Sequence, residues 1–263
     1  MGEHIIEALG KSKVVIKDGK VVSVEDPIMD YCPLFDKYRG IKELTKKSIK
    51  ENIEFRIKDF GMCTEGRKFP SQDFLSIGAS EIMSTLLKKG FLDAVVIVGD
   101  GCGTVILTDP EKVEGVAGRI SGIIKTCPIN SVITFIGKSN VLNPETSEIN
   151  QIEGLKMAIS KGYKNIAITV SNAKELPEIR KIEKDNFCNV IIFGVHTTGA
   201  SMEDAIIFLE QGDIITACMS TEIKEVGDKR GIYKTKTKIP IYAPSEKGKD
   251  AIELRLKEIE KKK

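Results

Sequence analysis

The chain has 263 residues, a formal net charge of +2 and an apolar fraction of 41%, with no tryptophan. Because 40 basic residues balance 38 acidic ones, the charge gives no reason to expect nucleic acid or an anionic membrane as partner. No apolar run approaches the ~18–20 residues of a membrane-spanning helix, and the N-terminus lacks signal-peptide features, so we expect a cytoplasmic protein.

The N-terminal part predicts a hairpin, a loop and a helix. Residues 13–24 (KVVIKDGKVVSV) contain two β-branched runs around Asp18 and Gly19, a pair preferred in two-residue hairpin turns. Residues 26–38 carry two prolines and predict a loop. Apolar residues at helical spacing predict an amphipathic helix over 41–55. The polar stretch that follows, FGMCTEGRKFPSQDF, is either a functional loop or a plain connector.

From residue 74 onwards, predicted strands alternate with predicted helices, as in βαβ units with a mainly parallel sheet. Strands are predicted at 94–98, 131–136, 166–170, 190–195 and 213–218. Helices are predicted at 75–88, 111–125, 148–161, 173–184 and 202–211. We therefore expect a three-layer α/β domain at 74–263, which ends in an edge strand or hairpin and a terminal helix. A hairpin and loop-rich extension, residues 1–73, is expected to pack on it.

The buried strand at 94–98 runs directly into Gly99-Asp100-Gly101-Cys102-Gly103. In open parallel sheets, ligands bind beyond the carboxyl ends of the strands, which makes Asp100 and Cys102 candidate catalytic residues. Glycine lets a ligand approach the backbone closely, so the three glycines and Thr104 are candidates for cofactor binding. The alternative is a tight turn with a packed cysteine.

A second candidate site follows the strand NVIIFGV, at His196-Thr197-Thr198-Gly199. The His196 imidazole could act as a catalytic acid–base group, a metal ligand or a phosphate donor, with Thr197, Thr198 and Gly199 as cofactor-binding residues. The alternative is a histidine satisfied by a neighbouring carbonyl. Since parallel strands end on one side of a sheet, we expect this segment and Gly99–Gly103 to face one crevice. The other histidine, His4, lies in a terminus that we expect to be mobile.

Six cysteines in a cytoplasmic chain argue against structural disulfides. Four of them lie in loop-like contexts rich in Gly or Pro and could converge on an iron–sulfur cluster or a zinc ion: Cys32, Cys63, Cys102 and Cys127. The other two, Cys188 and Cys218, occupy strand-like positions where we expect buried, inert thiols. No CxxC pair, dinucleotide fingerprint, P-loop, GxSxG or HExxH motif is present.

Several segments resemble the methanogenesis marker protein 8 family: YCPLFDKYRGI, IKENIEFRIKDFGMCT, LDAVVIVGDGCGTVILTDPE, GRISGIIKTCPI and NPETSEINQIEGLKMAISKGYKNIAITV. The resemblance runs over nearly the whole chain. It implies a strictly anaerobic, cytoplasmic setting in a methane-producing archaeon and supplies no catalytic residues. The setting favours iron–sulfur chemistry for the loop cysteines.

The segments SIGASEIMSTLLKKGFLDAVVIVG and EGLKMAISKGYKNIAITVSNAKELPEIRKI are similar to the beta subunits of deazaflavin-reducing hydrogenases. That likeness implies a flavin or deazaflavin site, although the cluster-binding CxxC motifs of those subunits are absent here. Three functions follow as alternatives. They are an accessory or maturation factor for a methanogenesis enzyme such as methyl-coenzyme M reductase, a flavin or deazaflavin oxidoreductase, and a non-catalytic binding protein. The sequence is also compatible with a homo-oligomer.

Overall fold

The computed structural model describes residues 2–69 and 76–261. The strands are β1 (Glu3–Glu7), β2 (Lys13–Lys17), β3 (Lys20–Val24), β4 (Ala94–Gly99), β5 (Gly103–Leu107), β6 (Gly122–Lys125), β7 (Asn165–Val170), β8 (Asn189–Gly194), β9 (Ile214–Thr216), β10 (Tyr233–Lys234) and β11 (Ile241–Ala243). The helices are α1 (Pro33–Arg39), α2 (Lys46–Phe60), α3 (Ala79–Lys88), α4 (Pro110–Ala117), α5 (Asn130–Ile136), α6 (Gln151–Ser160), α7 (Leu176–Asp185), α8 (Met202–Gln211), α9 (Thr221–Lys229) and α10 (Glu246–Lys261).

The chain divides into two compact units. The first contains the described residues up to 69 together with Val98–Val105 and Gly115–Asn150. The second contains residues 76–97, Ile106–Glu114 and residues 151–261. The first unit thus joins the N-terminal segment to two pieces of chain that the sequence pattern assigned to the α/β domain. Packing of residues 1–73 as a separate extension stays a prediction.

The first unit contains a four-stranded antiparallel sheet with the order β3-β2-β1-β6. The predicted hairpin is confirmed, and its turn residues Asp18 and Gly19 have φ angles of 51° and 72°, as the type I′ turn requires. Alternate residues of β1 and β2 are buried, so Ile6 and Ile16 pack in one apolar cluster with residues of α2 such as Ile53.

The larger sheet has seven strands in the order β10-β11-β9-β8-β7-β4-β5. Strands β4, β7, β8 and β9 are parallel, and β11 and β10 add antiparallel pairing at one edge. The predicted strands at 94–98, 166–170, 190–195 and 213–218 are confirmed, as are the edge hairpin and the terminal helix. The chain is therefore an α/β protein with one antiparallel and one mixed sheet.

Three predicted elements are wrong. The predicted strand at 131–136 is helix α5, because its apolar residues at 132, 133 and 136 are buried at helical spacing. The predicted helix at 111–125 ends at Ala117, since Arg119 has a φ of 68° and β-branched residues then form β6. The predicted loop at 26–38 contains α1, which Pro33 opens at its first turn.

Two other helices differ from the sequence prediction mainly in their bounds. The helix predicted at 41–55 is α2, which starts later because the Thr45 hydroxyl caps it by accepting from the Ser48 N–H at 3.1 Å. The helix predicted from 75 begins at Ala79, and its first predicted residue lies outside the described residues. Within the described ranges, every helix is too short or too polar to cross a lipid bilayer.

Candidate functional site

The glycine-rich turn after β4 belongs to the first unit and is packed by the protein itself. Gly101 and Gly103 have φ angles of 79° and 67°. A Cβ atom at Gly103 would lie 2.2 Å from the carbonyl oxygen of Ser147, and one at Gly101 would lie 2.6 Å from the side chain of Ile129. A Cβ at Gly99 would similarly meet Cys102 Sγ at 2.8 Å. The close approach that these glycines allow is thus made by neighbouring protein atoms, and their role in cofactor binding stays a prediction.

Thr104 lies at the end of the same turn and is fully buried. Its N–H donates to the carbonyl oxygen of Glu148 at 2.8 Å, and its hydroxyl accepts from the N–H of Asn150 at 2.9 Å. Both groups therefore tie the turn to the segment before α6, and a cofactor contact at Thr104 also stays a prediction.

Asp100 is a buried anchor inside this turn. Its Oδ2 accepts from the N–H of Cys63 at 2.7 Å, and both carboxylate oxygens lie 3.1 Å from Nε of Arg67. The side chains of Asp100 and Arg67 are only 2% and 1% exposed. Arg67 also donates to the carbonyl oxygens of Gly115 and Lys68. This buried ion pair fixes the loop after α2 against the glycine-rich turn, which places Cys63 beside Asp100.

The thiols of Cys63 and Cys102 are buried and held in the neutral form. Burial raises the pKa of Cys63 well above its ordinary value, and the Asp100 carboxylate adds to the effect. The pKa of Cys102 is raised by the same two causes, and its Sγ lies 3.7 Å from the carbonyl oxygen of Gly103. Because the thiolate is the reactive form, either thiol needs a base to act as a nucleophile at neutral pH, and a catalytic role for Asp100 and Cys102 stays a prediction.

A hydrogen-bonded chain in the first unit leads from the turn to a third thiol. The N–H of Gly101 donates to the hydroxyl oxygen of Thr126 at 2.8 Å. That oxygen lies 2.7 Å from Nδ1 of His4. On the other side of the ring, Nε2 lies 3.3 Å from Sγ of Cys127. A thiol, an imidazole and a group that orients the imidazole are the elements of an activated cysteine.

The expectation that His4 is mobile is wrong. His4 lies in β1 opposite Ile16, and only 3% of its surface is exposed. Burial lowers the pKa of the imidazole, while the Asp100 carboxylate acts in the opposite direction. Burial also raises the pKa of the half-buried Cys127. The resting pair is therefore a neutral imidazole and a thiol. In the tautomer that carries its proton on Nδ1, Nε2 can accept the thiol proton.

The backbone of Gly2 covers the Cys127 thiol. A Cβ atom at position 2 would lie 1.8 Å from Cys127 Sγ, so only glycine leaves the sulfur in its present place. Gly2 thus forms part of the wall around the thiol.

The remaining cysteines lie elsewhere. Cys32 is half-buried at the start of α1 and packs against the apolar cluster of the first unit. Cys188 and Cys218 lie in the second unit and are half-buried, so the expectation of full burial is wrong for both. In the described parts of the chain, no three or more His, Cys, Asp or Glu side chains are arranged so that they could hold a metal ion. A metal site formed by Cys32, Cys63, Cys102 and Cys127 stays a prediction.

The second predicted site lies in the second unit, directly after β8. Its two hydroxyls are used within the protein, since Thr197 donates to the carbonyl oxygen of Thr216 and Thr198 to that of Cys218, each at 2.6 Å. His196 has a φ of 54°, and burial of its imidazole lowers the pKa of the ring to about 4. The imidazole is therefore neutral at physiological pH.

Gly199 follows with a φ of 69°, which completes the turn after these hydroxyls. In the sheet order, one strand, β7, lies between β4 and β8. A crevice shared with Gly99–Gly103, and catalytic or cofactor-binding roles for this segment, stay predictions.

Sequence reasoning did not select His4, Thr126 or Arg67 as site residues. The signal for His4 was the alternation in EHIIE, which is typical of a half-buried strand with the histidine on the apolar side. Arg67 lies in the polar stretch after α2 that was a candidate functional loop. Thr126 carried no signal, because its role depends on pairing between β1 and β6, which are far apart in the chain.

The fold and this site define an α/β protein with a buried imidazole paired to a half-buried thiol. Residues 4–257 match a family described as an uncharacterized protein conserved in archaea (DUF2099), and the chain belongs to this family. The chain is also similar to the uncharacterized protein MJ0054 of Methanocaldococcus jannaschii. The two are 46% identical over 267 residues, which cover 99% of this chain and 93% of the relative.

Proposed function

We propose that this chain is a cytoplasmic accessory or maturation factor for a methanogenesis enzyme, and that it holds a thiol-reactive, labile cofactor or group at Cys127. Methyl-coenzyme M reductase is the candidate client enzyme. The observation that carries the proposal is the 3.3 Å contact between Nε2 of His4 and Sγ of Cys127. In this role His4 accepts the thiol proton as the sulfur forms a bond to its target.

The surroundings of the pair support a holding function. The Cys127 thiol is half-buried, and Gly2 covers part of it, so access is restricted. The Thr126 hydroxyl, itself held by the N–H of Gly101, contacts Nδ1 of the imidazole. This contact keeps the other ring nitrogen, Nε2, directed at the sulfur. A protected but accessible thiol suits a protein that carries a reactive group from one partner to another.

The biological setting rests on family relationships. The similar protein of Methanocaldococcus jannaschii fits the methane-producing archaea that the resemblance to the methanogenesis marker protein 8 family implies. Membership of that family, an anaerobic cytoplasmic location and a three-layer domain are parts of the proposal. We propose no nucleic acid or membrane partner, and the proposed function is compatible with a homo-oligomer.

A metal cluster is the second candidate, because Cys63 and Cys102 both lie near the Asp100 carboxylate in the first unit. Asp100 raises the pKa of both Cys63 and Cys102, and Cys127 raises that of Cys63. In their present positions these side chains do not fit a cluster. Among the described residues, no three His, Cys, Asp or Glu side chains are arranged so that they could hold a metal ion. Cluster binding would require rearrangement, and with neutral thiols it would also require the release of protons.

The test is anaerobic purification followed by absorption spectroscopy and intact-protein mass analysis. We expect a group that adds mass to the wild type, maps to the Cys127 peptide and is absent from Cys127→Ser but retained in Cys188→Ser, the matched half-buried control. Iron–sulfur absorption that persists in Cys127→Ser would favour the cluster, and a structured flavin spectrum would favour the oxidoreductase. A protein with no bound group and with equally reactive cysteines at 127 and 188 would contradict the proposal.

A further inference from the structure

A second feature of the first unit is a buried arginine without a counter-ion. Arg56 lies on α2 with 8% of its surface exposed. Its Nη1 donates to the hydroxyl of Ser121 at 2.9 Å, and its guanidinium carbon lies 5.4 Å from the ring centre of Phe35. No carboxylate among the described residues forms an ion pair with it. A buried charge in such surroundings is unfavourable unless an anion joins it.

Two further arginines lie near this guanidinium. Arg39 on α1 lies over the ring of Phe55 at 3.5 Å. Arg119 forms an ion pair with Asp59 in the last turn of α2. Besides burial, which is the largest cause, these two cations lower the pKa of Arg56 to about 10. The Arg56 guanidinium is thus still charged at neutral pH, and the two neighbouring cations repel it.

The charge balance indicates the kind of ligand. In the part of the chain that the structure describes, neither Arg56 nor Arg39 forms an ion pair with a carboxylate, which leaves two positive charges without a counter-ion. A phosphate monoester carries about −1.5 to −2 charges at pH 7, and its oxygens match the fork of a guanidinium. We propose that Arg56, Arg39, Arg119 and the Ser121 hydroxyl bind the phosphate group of a small soluble molecule.

Asn52 supplies an independent observation. It lies one helical turn before Arg56 on the same buried side of α2, only 3% of its surface is exposed, and its Oδ1 has no hydrogen-bond partner. A half-turn of the amide about χ2 replaces this oxygen with the NH₂ group, a donor suited to a phosphate oxygen. Helix α2 therefore presents two buried polar groups that the described protein residues leave incompletely satisfied.

Inorganic phosphate is the probe, with thermal unfolding and calorimetry as the measurements. We expect phosphate, but not chloride at matched ionic strength, to raise the unfolding temperature of the wild type in a saturable way. Arg56→Met should unfold at the same or a higher temperature without phosphate, because an unpaired buried charge is gone, and should show no shift with phosphate. The exposed Arg230→Gln, in the second unit, should respond as the wild type does.

Arg39→Gln gives a second route if Arg56→Met fails to fold. Arg39 is half-buried, and its loss should weaken phosphate binding about tenfold while leaving Arg56 in place. Equal responses to phosphate and chloride, or equal phosphate affinity in wild type and both variants, would overturn the site. Arg56-dependent co-sedimentation with phosphatidic acid vesicles, without binding of free phosphate, would overturn the assignment to a soluble ligand. This site does not rest on the function proposed for Cys127.

Discussion

Nε2 of His4 lies 3.3 Å from Sγ of Cys127, although the two residues are 123 positions apart in the chain. Antiparallel pairing of β1 with β6 brings them together, because His4 lies on β1 and Cys127 follows the end of β6. The Thr126 hydroxyl contacts the other ring nitrogen, Nδ1. The contact joins a base to a nucleophile, and it is the basis of the function proposed for this chain.

Gly2→Ala should disturb this contact directly. The new Cβ would lie 1.8 Å from Cys127 Sγ, so either the sulfur or the backbone at position 2 has to move. We expect the rate of Cys127 alkylation, followed by peptide mass spectrometry, to fall towards that of a variant without His4. Gly66→Ala is the control, since its Cβ would meet only Thr64 at an ordinary 3.5 Å. Unchanged Cys127 alkylation in Gly2→Ala would contradict this prediction.

Asp100→Asn should destabilise the protein by about 3–5 kcal/mol, because it leaves the buried Arg67 charge without its partner. The free energy of unfolding from denaturant titration measures this. Glu145→Gln removes an exposed ion pair with Lys138 and should leave that free energy nearly unchanged. A small effect of Asp100→Asn would mean that Asp100 is not the anchor of the glycine-rich turn.

Gly103→Ala should be far more harmful than Gly90→Ala. Both glycines have positive φ angles, but a Cβ at 103 would lie 2.2 Å from a carbonyl oxygen, whereas one at 90 has no neighbour within 4 Å. We expect a loss of more than about 3 kcal/mol at position 103 and about 1 kcal/mol at position 90. Equal losses in the free energy of unfolding would show that close packing is not the reason why position 103 requires glycine.

His196 should make stability depend on pH. Its pKa is about 4 in the folded protein and 6.5 in the ordinary state, so the unfolded chain binds more protons between these values. The contribution is full above pH 6.5 and is lost as the pH falls to about 4, at a cost of about 2–3 kcal/mol. His196→Asn, which tolerates the positive φ, should remove this part of the pH dependence. An unaltered profile would count against a neutral, desolvated ring.

The sequence pattern predicted those parts of the fold that depend on local signals. Alternation and turn chemistry gave the hairpin at Asp18 and Gly19, and the buried apolar runs gave β4, β7 and β8. The prediction of a strand at 131–136 was wrong because a short β-branched run fits a strand or a buried helix equally well. Here the Glu65 carboxylate accepts from the first N–H groups of α5, a contact 65 positions away that favours the helix.

The candidate site shows the same limit. Asp100 and Cys102 were identified from their place after a buried strand, but their hydrogen bonds go to protein groups that the pattern did not identify. The partner that makes Cys127 distinctive among the cysteines is His4, and only the pairing of two distant strands reveals it. Local periodicity carries no information about such long-range pairings.

The rate of Cys127 alkylation by iodoacetamide, in wild type and in His4→Gln, tests the central claim most directly. In this reaction the sulfur–carbon bond forms, iodide leaves, and His4 takes the thiol proton. We expect His4→Gln to slow alkylation of Cys127 at least tenfold, an effect of about the size that general bases provide. Thr126→Val should give a smaller loss in the same direction, and Cys188 should react at an unchanged rate in both variants. Equal Cys127 rates in wild type and in a folded His4→Gln variant would contradict the account.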